Sequence, residues 1–225
     1  AAASASGHAI HPARPNPTPH RGVRVREFFR EPWVEFRGGG AVDVIGLRGE
    51  RVRLVPSEPS LHLENALRWL NDPEVTAKLA VFTGVTRRQE ELFFEHAATH
   101  RETDLHWAIV ADELGHIGFT GLHQIHWPTR SATGGLMIGE RGAWGRGYAT
   151  EAVRVRTRFA FEQLGLHRIE GHTINPAMQR VYEKCGYRPE GVARQKVWRD
   201  GRWHDAHLFA VLDTDYSQTQ VNSER

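Results

Sequence analysis

The stretch Arg141-Gly-Ala-Trp-Gly-Arg-Gly-Tyr-Ala-Thr-Glu-Ala-Val153 places three glycines within six residues and runs directly into a helix-forming sequence. Just before it, Gly135-Leu-Met-Ile138 reads as a short apolar strand. Strand, glycine loop and helix in that order make an anion cradle. The first helical turn has N–H groups with no helical acceptor and carries the positive end of the dipole. Glycines let backbone approach an anion with no Cβ in the way. Gly145, Gly147 and the amides through Thr150 are therefore candidates to hold a pyrophosphate. Taken alone, the loop reads equally well as a plain glycine turn. A dinucleotide fingerprint, G-x-G-x-x-G, fails because the last position counted from Gly145 is Thr150. The Gly-Lys-Ser/Thr ending of a P-loop is missing as well.

Outward from the loop the chain has regular periodicity. Arg51–Val55 alternates as a strand, and Leu63, Ala66, Leu67 and Leu70 sit at helical spacing until Asn71-Asp72-Pro73 stops them. Thr86 is placed to cap a second helix running to Arg101. Residues 106–110 and 116–125 read as strands joined at Leu114-Gly115. After the loop, a helix extends to about Leu164, a strand covers 168–174 and a helix covers 176–185. Two final strands, near 192–199 and 203–212, turn at Asp200-Gly201. This order predicts a mixed α/β sheet with helices on its faces. A domain boundary is expected near residue 45. Residues 1–45, rich in proline at the start and broken by Gly38-Gly39-Gly40, read as a disordered or loosely docked extension; 46–216 form the domain, and 217–225 a tail.

About 30 residues after the loop comes Asn175-Pro-Ala-Met-Gln-Arg-Val-Tyr-Glu-Lys-Cys-Gly-Tyr187. Together the two stretches resemble the GNAT family of N-acetyltransferases. Trp144-Gly-Arg-Gly-Tyr-Ala-Thr-Glu-Ala152 is similar to its acyl-CoA pyrophosphate loop. Asn175, Tyr182, Glu183, Lys184, Gly186 and Tyr187 are similar to its following motif. The resemblance covers about residues 46–216. It is closest to the branch of ribosomal-protein N-terminal and spermidine acetyltransferases.

The resemblance implies a mostly antiparallel sheet of about seven strands, splayed between strands 4 and 5, with acetyl-CoA as co-substrate. It implies that Met137 and Ile138 pair their backbone with pantetheine, and that the Ile138 amide polarises the thioester carbonyl. Trp144, Gly145, Arg146, Gly147, Tyr148, Ala149 and Thr150 would wrap the pyrophosphate. Asn175 would bond the pantetheine arm, and Arg180 would reach the nucleotide phosphates. Tyr182 would protonate the departing thiolate; a phenol with a pKa near 10 suits a thiol near 8.5. The acceptor would be a primary amine, either a protein N-terminus or a small amine such as a polyamine. The alternative is a non-catalytic acyl-CoA-binding module.

Some positions depart from the family pattern. Thr133 stands where many relatives have an acid, and Met178 where a small residue is usual. Arg156 falls in the apolar stripe of Ala149, Ala152, Val153 and Ala160, so it must snorkel, pair with an acid or meet ligand. Glu140, at the end of a strand, is the first candidate for the base that deprotonates the amine; Asp104, His106, His123, His126 and a water chain are others.

The rest is exclusion. No apolar run reaches the length of a membrane-spanning helix, and no charged-then-apolar leader opens the sequence, so neither membrane insertion nor secretion is expected. The single cysteine, Cys185, cannot build a disulfide framework, which fits a reducing, cytoplasmic setting. The net charge is +2, with the first 30 residues contributing +4; residues 1–27 carry arginine without interleaved aromatics, which argues against nucleic acid. Among the 14 histidines, His96 and His100 share a helix face but lack the H-E-x-x-H glutamate. His123 and His126 point to opposite faces of a strand, and no metal is expected. The tryptophan-rich hairpin Val197–Asp205 lies, in the resembling branch, beside the acceptor slot and often at a homodimer contact.

Overall fold

The computed structural model describes residues 47–77, 79 and 83–216. The expectations for residues 1–45 and 217–225 lie outside the described residues. Strands β1 (Val52–Pro56), β2 (Leu105–Ala111), β3 (Gly115–His126), β4 (Ser131–Ile138), β5 (Arg168–Thr173), β6 (Arg188–Arg199) and β7 (Arg202–Leu212) form one sheet in the order β1-β2-β3-β4-β5-β7-β6. Every neighbouring pair is antiparallel except β4–β5. The helices are α1 (Pro59–Leu70), α2 (Pro73–Thr76), α3 (Arg87–Thr99), α4 (Tyr148–Glu162) and α5 (Pro176–Lys184). This is the seven-stranded mixed sheet that the resemblance implies.

Each element follows from local chemistry. Thr86 and Gln89 exchange hydrogen bonds in a capping box that starts α3. Asp200 and Gly201 both adopt positive φ, the two-residue turn whose twist suits a hairpin. One element goes beyond the sequence reading. Asp72 and Pro73 end α1, but they also start a further turn: the Asp72 carboxylate accepts from the Glu74 N–H, and Pro73 fills the first helical position, where no N–H is needed.

The register sorts the side chains onto two faces. His106 pairs with Gly121, Phe119 with Met137, Gly121 with Gly135 and His123 with Thr133, so these residues share one face. Helices α1 and α3 cover it; Trp69 and Phe94 both pack against Phe119. The other face carries α4 and α5 over the main core, in which Ile109, Ile117, Leu122, Ala152, Val153, Ala160 and Ile169 are fully buried.

β4 and β5 pair only at Ser131–Arg168, Ala132–Ile169 and Thr133–Glu170. β4 then runs on to Ile138 and β5 to Thr173 without pairing to each other, each still paired to its outer neighbour. The sheet forks there, and that fork positions the site.

Candidate active site

The fork is lined on one edge by backbone. The Tyr182 hydroxyl donates to the Gly134 carbonyl at 3.5 Å, so that carbonyl faces the gap. The N–H and C=O of one residue in a strand point the same way and the pattern repeats every second residue, so Leu136 and Ile138 also present theirs to the gap. The Trp144 indole donates to the Ile138 carbonyl at 2.9 Å and ties the strand's end to the glycine loop.

Tyr182 closes the fork from the helical face. Its ring is buried, tilted against Tyr187 and stacked on Phe209. A Cβ on Gly171 would lie 2.1 Å from the hydroxyl, so only glycine at that point of β5 lets the phenol reach between the strands. Burial pushes the phenol up to about 12, partly opposed by the positive charge of Arg156. The group is therefore protonated throughout the physiological range.

Gly145 and Gly147 have φ of +74° and +88°, conformations that side-chain-bearing residues rarely adopt. Gly147 is the N-cap of α4 and supplies no side-chain cap. The first helical bond runs from the Glu151 N–H to the Gly147 carbonyl, leaving the N–H groups of residues 148–150 without a helical acceptor.

Fork and loop open into one cleft of 820 Å³. Of the residues singled out from the sequence, Met137, Ile138, Trp144, Gly145, Gly147, Ala149, Thr150, Asn175, Arg180 and Tyr182 line it. Asn175 caps α5 by accepting from the Ala177 N–H at 3.0 Å. Arg180 is exposed and forms no ion pair among the described residues. Three others lie elsewhere. Arg146 turns outward, donating to Glu113 at 2.7 Å and lying over the Tyr148 ring. Tyr148 is buried in the core, its hydroxyl also on Glu113. Glu140 accepts from Arg68 at 3.2 Å and from the Gly142 amide. Of the other base candidates, Asp104, His106 and His123 gather on the opposite sheet face, and His126 is exposed with its Nδ1 on the Thr129 hydroxyl.

Sequence reasoning missed some of the wall. Glu74, Val75 and Leu79 line the cleft, and Arg141 binds both Asp72 and Glu74, clamping α2 to the loop. The Asp72-Pro73 pair was the available signal for that turn. Val197 brings the C-terminal hairpin to the cleft, while Trp198 and Trp203 remain half exposed. Arg156 neither snorkels nor pairs with an acid among the described residues. It is fully buried, and its N–H groups donate to the Gly135 carbonyl (2.6 Å), the Thr120 hydroxyl (2.9 Å), the Gly121 carbonyl and the Tyr187 hydroxyl, with no carboxylate partner among the described residues. Cys185 donates to the Thr150 carbonyl, and burial pushes its thiol up to about 11, so it is no thiolate nucleophile.

A forked mixed sheet with an uncapped glycine-led helix at the fork is the framework of an acyltransferase. The GNAT acetyltransferase domain matches residues 51–188, and the chain belongs to that family. A probable N-acetyltransferase of Bacillus subtilis, YjcK, is 35% identical over 140 residues, covering 60% of this chain and 72% of the relative. The spermidine N(1)-acetyltransferase of Vibrio cholerae is 27% identical over 129 residues, covering 56% of this chain and 73% of its own. The crystal structure of the spermidine N-acetyltransferase from Vibrio cholerae in complex with CoA and spermine superposes with a TM-score of 0.68 at 23% identity, over 75% of this chain and 99% of that one. That structural likeness shows the fold.

Proposed function

We propose that the chain transfers the acetyl group of acetyl-CoA directly to the primary amine of a small acceptor, with Tyr182 as the acid. The observation that carries this reading is the buried, protonated Tyr182 hydroxyl at the apex of the fork, in the same cleft as the free amides of the α4 N-terminus. Those amides and the helix dipole favour a diphosphate. Arg180, unpaired at the cleft wall, supplies a cation for the nucleotide phosphates. The gap-facing peptide groups of β4 give an extended pantetheine a strand to lie against. Laid along this path, the thioester sits between Gly134 and Ile138.

The residues then divide the chemistry. The amine nitrogen attacks the thioester carbon as a C–N bond forms and the C–S bond breaks. The Ile138 N–H meets the negative charge that develops on the carbonyl oxygen. The Tyr182 proton passes to the departing sulfur, and the proton lost from nitrogen leaves to water. Glu140, fixed by Arg68, is not among the residues lining the cleft; the acid there is Glu74, placed to attract a cationic amine. A small amine as acceptor is supported by the spermidine acetyltransferase among the relatives.

The test is release of free thiol from acetyl-CoA with a panel of polyamines and N-terminal peptides. Turnover with a polyamine is expected. Tyr182→Phe should lower kcat by about 10²–10⁴, the usual contribution of a positioned acid, with CoA affinity unchanged. CoA binding without turnover on any amine would make the chain an acyl-CoA-binding module, and no CoA binding would remove the reading altogether.

A further inference from the structure

On the sheet face that carries α1 and α3, three side chains converge that the transfer chemistry does not use. Asp104 immediately precedes β2, His106 lies on β2, and His123 lies on β3. One donor atom from each lies within 4.8 Å of the other two. His123 Nδ1 is 3.3 Å from Asp104 Oδ1. A charge-assisted hydrogen bond would be shorter, about 2.7–2.9 Å. Two ligands on a tetrahedral cation with bonds of about 2.0–2.1 Å are separated by about 3.3 Å.

The three donors suit a cation, with the charge of Arg156 opposing it from the His123 side. Burial lowers both histidines, His106 to about 4, so each imidazole is neutral at pH 7 and offers a lone pair. Burial raises Asp104, but the Thr103 side chain and the facing His123 ring outweigh it, so the carboxyl lies below its ordinary value. No lysine or arginine forms an ion pair with it among the described residues. The result is a partly buried negative charge between two neutral imidazoles. The sheet leaves room for the His123 ring. Gly121 and Gly135 are paired across β3 and β4, and a Cβ on either would come within 2.8–2.9 Å of His123 Nε2. The edge of Phe93 covers His106, yet Phe93 is 43% exposed, which gives the spot an opening to solvent.

Hard cations take oxygen ligands, whereas two imidazoles and one carboxylate with open positions suit a borderline first-row ion. We propose that Asp104, His106 and His123 form a binding site for one first-row divalent cation of the zinc class. No local spacing announces it: two donors lie beside β2, and the third sits diagonally across the β2–β3 ladder, two residues past the partner of His106.

Cobalt(II) and zinc(II) are the probes, added to the full chain after chelator treatment. One cobalt per chain is expected, with visible absorption of a four- or five-coordinate site that zinc abolishes. Zinc should also raise the melting temperature by mass action. Asp104→Asn, His106→Gln and His123→Gln should each weaken binding by at least about tenfold, whereas a variant with His8, His11 and His20 changed to Gln should bind as before. No visible cobalt band and no shift in melting temperature at roughly 1 mM zinc overturn the proposal. So does a band that survives His106→Gln and His123→Gln or disappears with the N-terminal histidines. Should the variants fail to fold, the stoichiometry and spectrum of the unaltered chain decide the matter. The readout is metal binding, so it stands or falls independently of acetyl transfer.

Discussion

Arg156 is the residue whose chemistry is hardest to explain by stability. A guanidinium with no exposure and no carboxylate partner among the described residues has lost its hydration for bonds to neutral oxygens, and among those residues its Nε has no partner. Such burial costs several kcal/mol. The oxygens it serves do not all need it, since the Thr120 hydroxyl also donates to the Gly135 carbonyl at 2.8 Å. What the charge does reach is the fork: a Cβ on Gly134 would lie 2.5 Å from its Nη2, and its field lowers the proton affinity of Tyr182 against the effect of burial. The same field would favour a departing thiolate. Arg156→Met should therefore be neutral or stabilising by about 1–4 kcal/mol in chemical denaturation. It should also lower kcat by about tenfold, or 1.4 kcal/mol of barrier. A folded Met variant with full turnover would show the charge to be merely structural. The anomaly was legible in the sequence, because one arginine interrupted an apolar stripe. Its destination was not, because every acceptor comes from another strand or helix.

At the scale of elements, the fork and the helix it faces were legible for different reasons. The glycine loop and the Asn175–Tyr182 spacing are local patterns, so the sequence places both in the cleft. Arg146 and Glu140 belong to the same local patterns, yet Glu113 and Arg68, 33 and 72 residues away, draw their side chains elsewhere. Spacing fixes where the backbone goes; distant charges fix where a long polar side chain goes. The α4 N-terminus gives the sharpest element-level test. Gly147 holds φ at +88°, and a Cβ there would stand 3.3 Å from an Arg51 nitrogen. Gly147→Ala should cost about 1–2 kcal/mol of stability, the strain of a left-handed alanine. It should weaken CoA binding by more than that strain explains, measured by calorimetry, because the new methyl stands beside the amides that face the diphosphate. Loss of stability with unchanged CoA affinity would move the diphosphate off this helix.

Across the whole molecule, the two layers flanking the sheet differ in how they respond to acid. The α4–α5 side buries Arg156 and Thr157 but no histidine among the described residues, whereas the α1 side contains an aromatic knot of His62, Trp69, His116 and Phe119 in which His62 and Trp69 are buried. His62 Nδ1 accepts from the Glu58 N–H at 2.9 Å, and His116 Nδ1 meets the Asn65 amide at 3.1 Å while Nε2 meets the Gly118 carbonyl. The bonds accepted by the two Nδ1 atoms require neutral rings, whereas the Nε2 donation to Gly118 favours the charged form and opposes the effect of burial. Burial lowers both histidines, and His116, further depressed by His62 and Arg68, falls to about 4. The unfolded chain, with histidine near 6.5, binds more protons than the folded one between those two values. The contribution of His116 to stability is thus complete above about pH 6.5 and is lost as the pH falls toward about 4. Thermal melts from pH 8 to 4.5 should show the melting temperature falling mainly below 6.5. His116→Gln keeps a donor and an acceptor but cannot take a proton in this range, so it should flatten that slope while costing some stability at pH 8. An unchanged slope would place the acid sensitivity in another group. The outcome bears on the site as well, because Trp69 of the same knot packs where a side chain on Gly139 would stand, at the end of β4 that borders the cleft. Protonating this layer should therefore loosen the end of β4 that borders the cleft.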